Sequence, residues 1–394
     1  MSLQTAHPNA GKLTVVTEII APYRIPVFNR IAERLGENFK VFFMSATCSG
    51  RQWEIPYSKI KFNYEVLRGV NLNFRSKRPN PTYWNPGIGA ALKRFGPDSI
   101  VIGGYHHLSS YLVWRYAKLN SARFFLWCES TVHDQHSNRF WVQKLKRAFI
   151  RSCDAYLVPG TASIDYLKSQ GATNDFFNAP NSVDDELFGS DSHSEEERSA
   201  FRQKFNLPQF VILFVGRLSP EKNIPLALNA IRNVQIKGLQ VGFVVLGDGP
   251  YRKQYEAQAK QLGVEHIRFL GFQEQEQLPD YYRNSDLLIL PSESEPWGLV
   301  VNESLGCGLP VLSSKKVGCA PDLIIEGQTG YTCTTISDYE ARIVELFHHP
   351  DHLVQMRNHC RAHISNFTPE HSATGFLKLI NLEPMRTPVA LETR

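Results

Sequence analysis

Short runs of apolar, often β-branched residues alternate with helix-length amphipathic segments along nearly the whole chain. In the first half the apolar runs cover 13–20, 40–44, 99–103, 123–128 and 155–158. Amphipathic patterns at 25–35, 109–119 and 141–151 lie between several of them. The rhythm restarts in the second half, with apolar runs at 211–215, 242–246, 267–270, 287–290 and 310–313 and helical patterns at 226–233, 251–262 and 278–284. Strands that alternate with helices predict a parallel, doubly wound sheet, and two such series predict two sheets. Between them, residues 184–200 are polar and acidic with little apolar periodicity, which suits a linker or surface loop. The reading gives a first domain over 1–183, a second domain over 184–365, and a C-terminal helix and frayed tail over 366–394. In open sheets of this kind ligands bind beyond the carboxyl ends of the strands, and with two domains the space between them is the expected site.

Bulk composition changes this picture little. The 394 residues exceed one ordinary core; 42% hydrophobic and 21% charged residues are those of a water-soluble globular protein. A net charge of +5 does not describe a dedicated nucleic-acid binder, although it tolerates anionic substrates or an anionic membrane surface. Seven scattered cysteines without a Cys-x-x-Cys pair read as reduced structural thiols in a cytoplasmic protein. The first residues lack the apolar core of a signal peptide, and no apolar run approaches the ~20 residues that span a bilayer.

The richest segment for chemistry follows the run at 287–290. An acidic turn ends at Glu295, just before a helix that opens through Pro296, Trp297 and Gly298, continues through Leu299 and Val300 and carries, eight residues beyond Glu295, Glu303. A glycine at a helix start lets an anion approach bare N–H groups, and the helix dipole favours negative charge there. The flanking carboxylates repel phosphate and suit hydroxyls, so a ligand with both a diphosphate and sugars fits. A second cationic segment, Gly216-Arg217-Leu218-Ser219-Pro220-Glu221-Lys222, follows the run at 211–215. Ser219 is expected to cap the next helix and Pro220 to open it, placing Lys222 in the first turn. Two cations where a helix start disfavours them invite an anion; pairing with surface carboxylates is the alternative. Gly247-Asp248-Gly249 lacks the third glycine of a dinucleotide fingerprint, and Gly87-Ile88-Gly89 reads as a helix start. The lone Gly11–Lys12 pair makes no phosphate-binding loop. Gly-x-Ser-x-Gly and His-Glu-x-x-His are both absent.

The segments VGRLSPEKN, LGDGP, IRFLGF and SESEPWGLVVNESLGCGLPV, in that order, together with PNSVDDELF at the junction, resemble family 4 of the retaining glycosyltransferases. The first half matches more loosely, through APYRIPVFNRIAERL and LVPGTASIDYL. The resemblance implies a GT-B fold, α/β with two Rossmann-like domains facing each other across a cleft. It implies transfer of a sugar from a UDP- or GDP-sugar to a glycan or lipid-linked acceptor with retained anomeric configuration. On that resemblance Arg217 and Lys222 hold the donor diphosphate and stabilise the leaving group, and Gly216 belongs to the same loop. Glu295 meets the donor sugar; the turn of Pro296 and Trp297 leads to the backbone of Gly298, Leu299 and Val300 at the distal phosphate; Glu303 meets the ribose. No Asp-x-Asp occurs, which fits catalysis without a metal, and no cofactor is expected.

The first half departs from the family. Ala21-Pro22-Tyr23-Arg24 stands where a glycine-rich loop is frequent, and Glu129, with His133 four residues on, where a histidine is frequent. Glu129 either contacts sugar or acts as a base, or pairs with a cation such as Arg24. His106 and His107 are further candidates, set against plain polar surface. Residues 139–151 form a basic, aromatic-rich amphipathic helix suited to an anionic membrane, or to packing with a solvated basic face; Arg75-Ser76-Lys77-Arg78 adds charge. A sugar-nucleotide epimerase and a non-catalytic nucleotide-sugar scaffold are the alternative functions.

Overall fold

The structure, a computed structural model, describes residues 11–48, 54–72, 82–134, 140–189 and 194–381. The basic run 75–78, Arg139 and the tail 383–394 lie outside the described residues. Contacts divide the chain into two compact units, one of residues 1–130, 136–181 and 369–394, the other of 131–135 and 182–368.

In the first unit the strands are β1 Leu13–Thr17, β2 Phe39–Phe43, β3 Asn63–Val66, β4 Val70–Asn71, β5 Tyr83–Trp84, β6 Ser99–Gly103, β7 Arg123–Trp127, β8 Ala155–Val158 and β9 Phe176–Asn178. Its helices are α1 Ile25–Leu35, α2 Ile88–Phe95, α3 Leu108–Leu119, α4 Phe140–Arg151 and α5 Thr161–Ser169. Among the described residues a parallel sheet runs β3-β2-β1-β6-β7-β8-β9, and β4 and β5 form a separate antiparallel pair. A sheet covered on both faces buries every residue of its central strands, which is why β1 is continuously apolar apart from its threonines. Val15 packs into one core with Ile31, Phe125 and Phe376, while its neighbour Val16 packs into the other with Ile100, Phe124 and Phe149. The expected strand 13–20 ends at Thr17, because Glu18 turns the chain toward a 3-10 turn at Pro22–Arg24 that leads into α1.

The second unit holds β10 Phe210–Val215, β11 Val241–Leu246, β12 Ile267–Gly271, β13 Leu287–Leu290, β14 Val311–Ser314 and β15 Gly330–Cys333. Its helices are α6 Asp185–Phe188, α7 Glu195–Phe205, α8 Ile224–Ile236, α9 Arg252–Leu262, α10 Leu278–Arg283, α11 Leu299–Gly306, α12 Ala320–Leu323, α13 Ile336–His348 and α14 Pro350–Ile364. The strands form a parallel sheet in the order β12-β11-β10-β13-β14-β15.

The stretch 184–200 is not a plain linker. Asp184 caps α6 by accepting from the backbone N–H groups of Glu186 and Leu187, and Ser194 and Glu197 form a reciprocal capping box at the start of α7. Residues 190–193 lie outside the described residues.

The final helix, α15 (Pro369–Asn381), packs in the first unit against α1 and β9. Phe376 meets the Trp127 ring edge-on at 5.2 Å, and a side chain at Gly375 would collide with the carbonyl oxygen of Asn178. Arg123 donates to the Ile380 carbonyl at 2.6 Å, so the last turn is tied to the sheet. No described helix is long and apolar enough to cross a membrane. All seven cysteines are free thiols, and all but Cys48 are buried.

Candidate functional site

In the second sheet the chain winds outward from β10 through β11 to β12, then crosses back to β13 and winds outward through β14 to β15. The topological switch point therefore lies between β10 and β13, which pair directly in register Ile212↔Leu287. Two connections leave the carboxyl ends of these neighbouring strands on diverging paths, opening the crevice in which such sheets bind ligands. They are the cationic segment at 216–222 and the acidic segment at 291–298.

The first connection begins at Gly216, whose φ of 156° lies outside the range most side chains adopt. Arg217 is exposed, and among the described residues it makes no ion pair. The expected helix cap is absent: Ser219 makes no capping hydrogen bond, Pro220–Lys222 is a lone 3-10 turn, and Asn223 at φ 50° separates it from α8. The short glycine motif beside it acts in packing. A side chain at Gly247 would strike the Gly216 carbonyl and one at Gly249 the Leu218 carbonyl, while the Leu218 N–H donates to the Asp248 carbonyl at 2.9 Å. The Gly-Asp-Gly turn of β11 is thus the floor of the Arg217 loop.

The two connections are joined. The Lys222 ammonium pairs with the Glu295 carboxylate, each side chain only 16% exposed. The Glu293 N–H donates to the Glu221 carbonyl at 2.7 Å, and Asn223 donates to the Glu293 carboxylate at 3.1 Å. Behind them, Glu295 bridges to Val317, the Gly318 N–H donates to the Glu295 carbonyl at 2.9 Å, and the Cys319 N–H to that of Trp297 at 3.0 Å.

The helix starts later than expected: Gly298 is the cap of α11, at φ 98°, and Leu299 the first helical residue. A side chain at Gly298 would come within 2.9 Å of Val317 Cγ1, so both conformation and crowding demand glycine. The first turn itself holds no acidic residue. Trp297 is buried and donates through Nε1 to Asn302 Oδ1 at 2.8 Å, so its side chain anchors the turn. Pro296 is exposed, and Leu299 and Val300 are half-buried.

Glu303, on α11, is half-buried. The Tyr282 hydroxyl donates to its Oε2 at 2.6 Å, yet burial pushes the carboxyl up to about 7 against that hydrogen bond. Tyr282, on α10, was invisible to pattern reading, where a tyrosine at helical spacing looks like core. Ser219 Oγ and Ser292 Oγ, after β10 and β13, are buried with no hydrogen-bond partner among the described residues.

The first unit's candidates stand at the carboxyl edge of its own sheet. Glu129, just past β7, pairs with Arg24 at 3.0 Å, the plainer of the two alternatives. The same Arg24 donates to Thr17 Oγ1 at 2.9 Å and lies 4.2 Å from the Trp127 ring. His106 is half-exposed, His107 is fully buried, and both approach Glu18. The pair is therefore not plain polar surface. His133 lies in an exposed turn, where its N–H donates to Thr131 Oγ1 at 3.2 Å.

Residues 195–363 match the family described as Glycosyl transferases group 1. A sulfoquinovosyl transferase of Arabidopsis thaliana is 34% identical over 185 residues, covering 46% of this chain and 34% of the relative. The lipopolysaccharide 1,2-N-acetylglucosaminetransferase of Salmonella typhimurium is 31% identical over 156 residues, covering 36% of this chain and 40% of the relative. The matched stretch thus spans well under half the length of these curated relatives. Among solved structures, Anabaena HepE in complex with UDP aligns at a TM-score of 0.74 with 18% identity, covering 94% of this chain and 100% of that one. The apo lipopolysaccharide outer core galactosyltransferase WaaB aligns at 0.67 with 16% identity, covering 94% and 98%. At such identities the likeness shows the fold, which is GT-B.

Proposed function

We propose that the chain is a retaining glycosyltransferase of family 4, which moves a hexose-type sugar from a UDP- or GDP-sugar to a glycan or lipid-linked acceptor. The observation that carries this is the Lys222–Glu295 pair, which ties a cationic loop to a sugar-suited carboxylate at the switch point, beside the glycine-led start of α11. The HepE structures with UDP and with UDP-glucose support a donor of this class. In this reading the exposed Arg217 and the half-buried Lys222 hold the diphosphate, the N–H groups opening α11 receive its distal phosphate, and Glu303 accepts from the ribose hydroxyls. Glu295, released by the donor from Lys222, accepts from the sugar. The developing charge on the leaving phosphate is met by fixed cations and dipoles, with no metal required.

The protein is cytoplasmic in this reading, with α4 as a peripheral membrane contact. Lys146, Phe149 and Ile150 of that helix are buried, whereas Phe140 and Trp141 are 69% and 74% exposed beside Lys144. An apolar, aromatic and basic outer face suits an anionic interface.

The test is to incubate the protein with UDP-glucose, UDP-galactose, UDP-N-acetylglucosamine and GDP-mannose in excess chelator and follow each donor. Slow release of nucleotide from one of them is expected. An isomerised sugar would replace the reading with an epimerase, and four untouched donors would end it.

A further inference from the structure

The first sheet has its own switch point. β1 leads outward to β2 and β3, β6 leads outward to β7, β8 and β9, and β1 and β6 pair directly. Glu18 follows β1 at this point, and His106 and His107 follow β6. The Nε2 atoms of both histidines reach the same carboxylate oxygen, Glu18 Oε1, at 3.1 Å and 3.0 Å.

The protonation pattern follows from the surroundings. His107 is fully buried, and its Nδ1 accepts from the Tyr83 N–H at 3.3 Å, so its proton resides on Nε2, which lies 3.0 Å from Glu18 Oε1 without the alignment of a full hydrogen bond. Burial disfavours the charged imidazolium of His107. Burial also disfavours the Glu18 anion, but the donors His106 and His107 outweigh it and hold the carboxyl well below the usual range. The result is an ionised, half-buried carboxylate with both imidazoles set against one of its oxygens. Among the described residues its Oε2 has no hydrogen-bond partner.

Three ligand classes can be weighed against this. The three side chains place potential ligand atoms within 4.8 Å of one another, as a metal site would. A metal-bound imidazole, however, turns a lone pair to the metal and donates from its other nitrogen. His107 has the reverse arrangement, accepting at Nδ1 and carrying its proton at Nε2. A phosphate would meet the like charge of Glu18. An uncharged hydroxyl finds what it needs, a fixed strong acceptor with an open lone pair.

We propose that Glu18, clamped by His106 and His107, binds a hydroxyl of the acceptor, so that the acceptor presents a neutral sugar ring and not a phosphate at this edge. The inference rests on the transferase reading and narrows the acceptor class. Glu18 is a binding residue and the two histidines are positioning residues.

The experiment is a titration of the full chain, labelled with 15N in its histidines, with methyl α-D-glucopyranoside, methyl α-D-galactopyranoside and methyl α-D-mannopyranoside. Parallel titrations use inorganic phosphate and zinc ion, and the same series is run on Glu18→Gln. At least one glycoside should shift the His106 and His107 imidazole signals saturably, with affinity about tenfold lower in the variant, the loss expected for one charge-assisted hydrogen bond. Absence of any glycoside response, an equal response in Glu18→Gln, or a stronger response to phosphate or to stoichiometric zinc would overturn the proposal. Thermal shift with UDP and GDP is read on both proteins. Nucleotide binding that survives a failed glycoside titration leaves the transferase reading standing, whereas loss of nucleotide binding in the wild type strikes that reading itself.

Discussion

The Tyr282 hydroxyl donates to Glu303 at 2.6 Å within the second unit, and burial pushes that carboxyl up to about 7 against this hydrogen bond. The group's ordinary value is 4.5, so between pH 4.5 and 7 the unfolded chain releases a proton that the folded chain keeps. Stability from this group is fully present below 4.5 and is lost as pH rises through about 7. The shift corresponds to about 3 kcal/mol. Urea unfolding of wild type and Glu303→Gln across this window should show the variant gaining by roughly that amount relative to wild type as pH rises. A pH-independent difference would contradict the assignment.

Lys222→Ala should lower transfer by about 10²–10³-fold, the usual cost of removing one fixed group aimed at developing charge. The fold should survive, because the lost ion pair is partly exposed. Far-UV dichroism and single-turnover kinetics check both halves; unchanged turnover refutes the role given to Lys222.

Gly318→Ala tests the brace behind the site. A side chain there would run into the Pro296 carbonyl, and backbone has no cheap way to yield. A loss of more than about 2 kcal/mol in urea unfolding is expected, with weakened nucleotide binding. A stable variant with full UDP and GDP affinity would show that the Glu295–Gly298 turn does not depend on this approach.

Activity should be complete in excess EDTA, since Arg217 and Lys222 supply the cationic charge. Abolition by chelator, restored by magnesium or manganese, would show that these side chains are insufficient.

Lys144→Ala should weaken sedimentation with phosphatidylglycerol-containing vesicles roughly fivefold at low salt, the share of one basic residue near an anionic surface. No binding by the wild type would remove the membrane contact.

The alternation of buried strands and amphipathic helices was readable because a sheet covered on both faces demands continuous apolar runs, as in Phe210–Val215 and Leu287–Leu290. Edge strand Asn63–Val66 is partly exposed and carries no such run, so it escaped. The capping box Ser194–Glu197 was present in the letters, but the acidic run around it resembled a linker. The start of α11 was misplaced by three residues because only the φ of Gly298 shows where the helix begins.

The sequence by itself determined that the chain builds two parallel α/β sheets, and that in the second of them cations follow one strand and carboxylates another. Those properties live in local periodicity and in residue chemistry, which need no partner to be read. Only the tertiary structure decided that Lys222 meets Glu295, that the Gly-Asp-Gly turn is a packing floor, and that Glu18 gathers His106 and His107. Such pairings join residues tens of positions apart, and the order of strands in a sheet, invisible to any local pattern, is what brings them within hydrogen-bond reach.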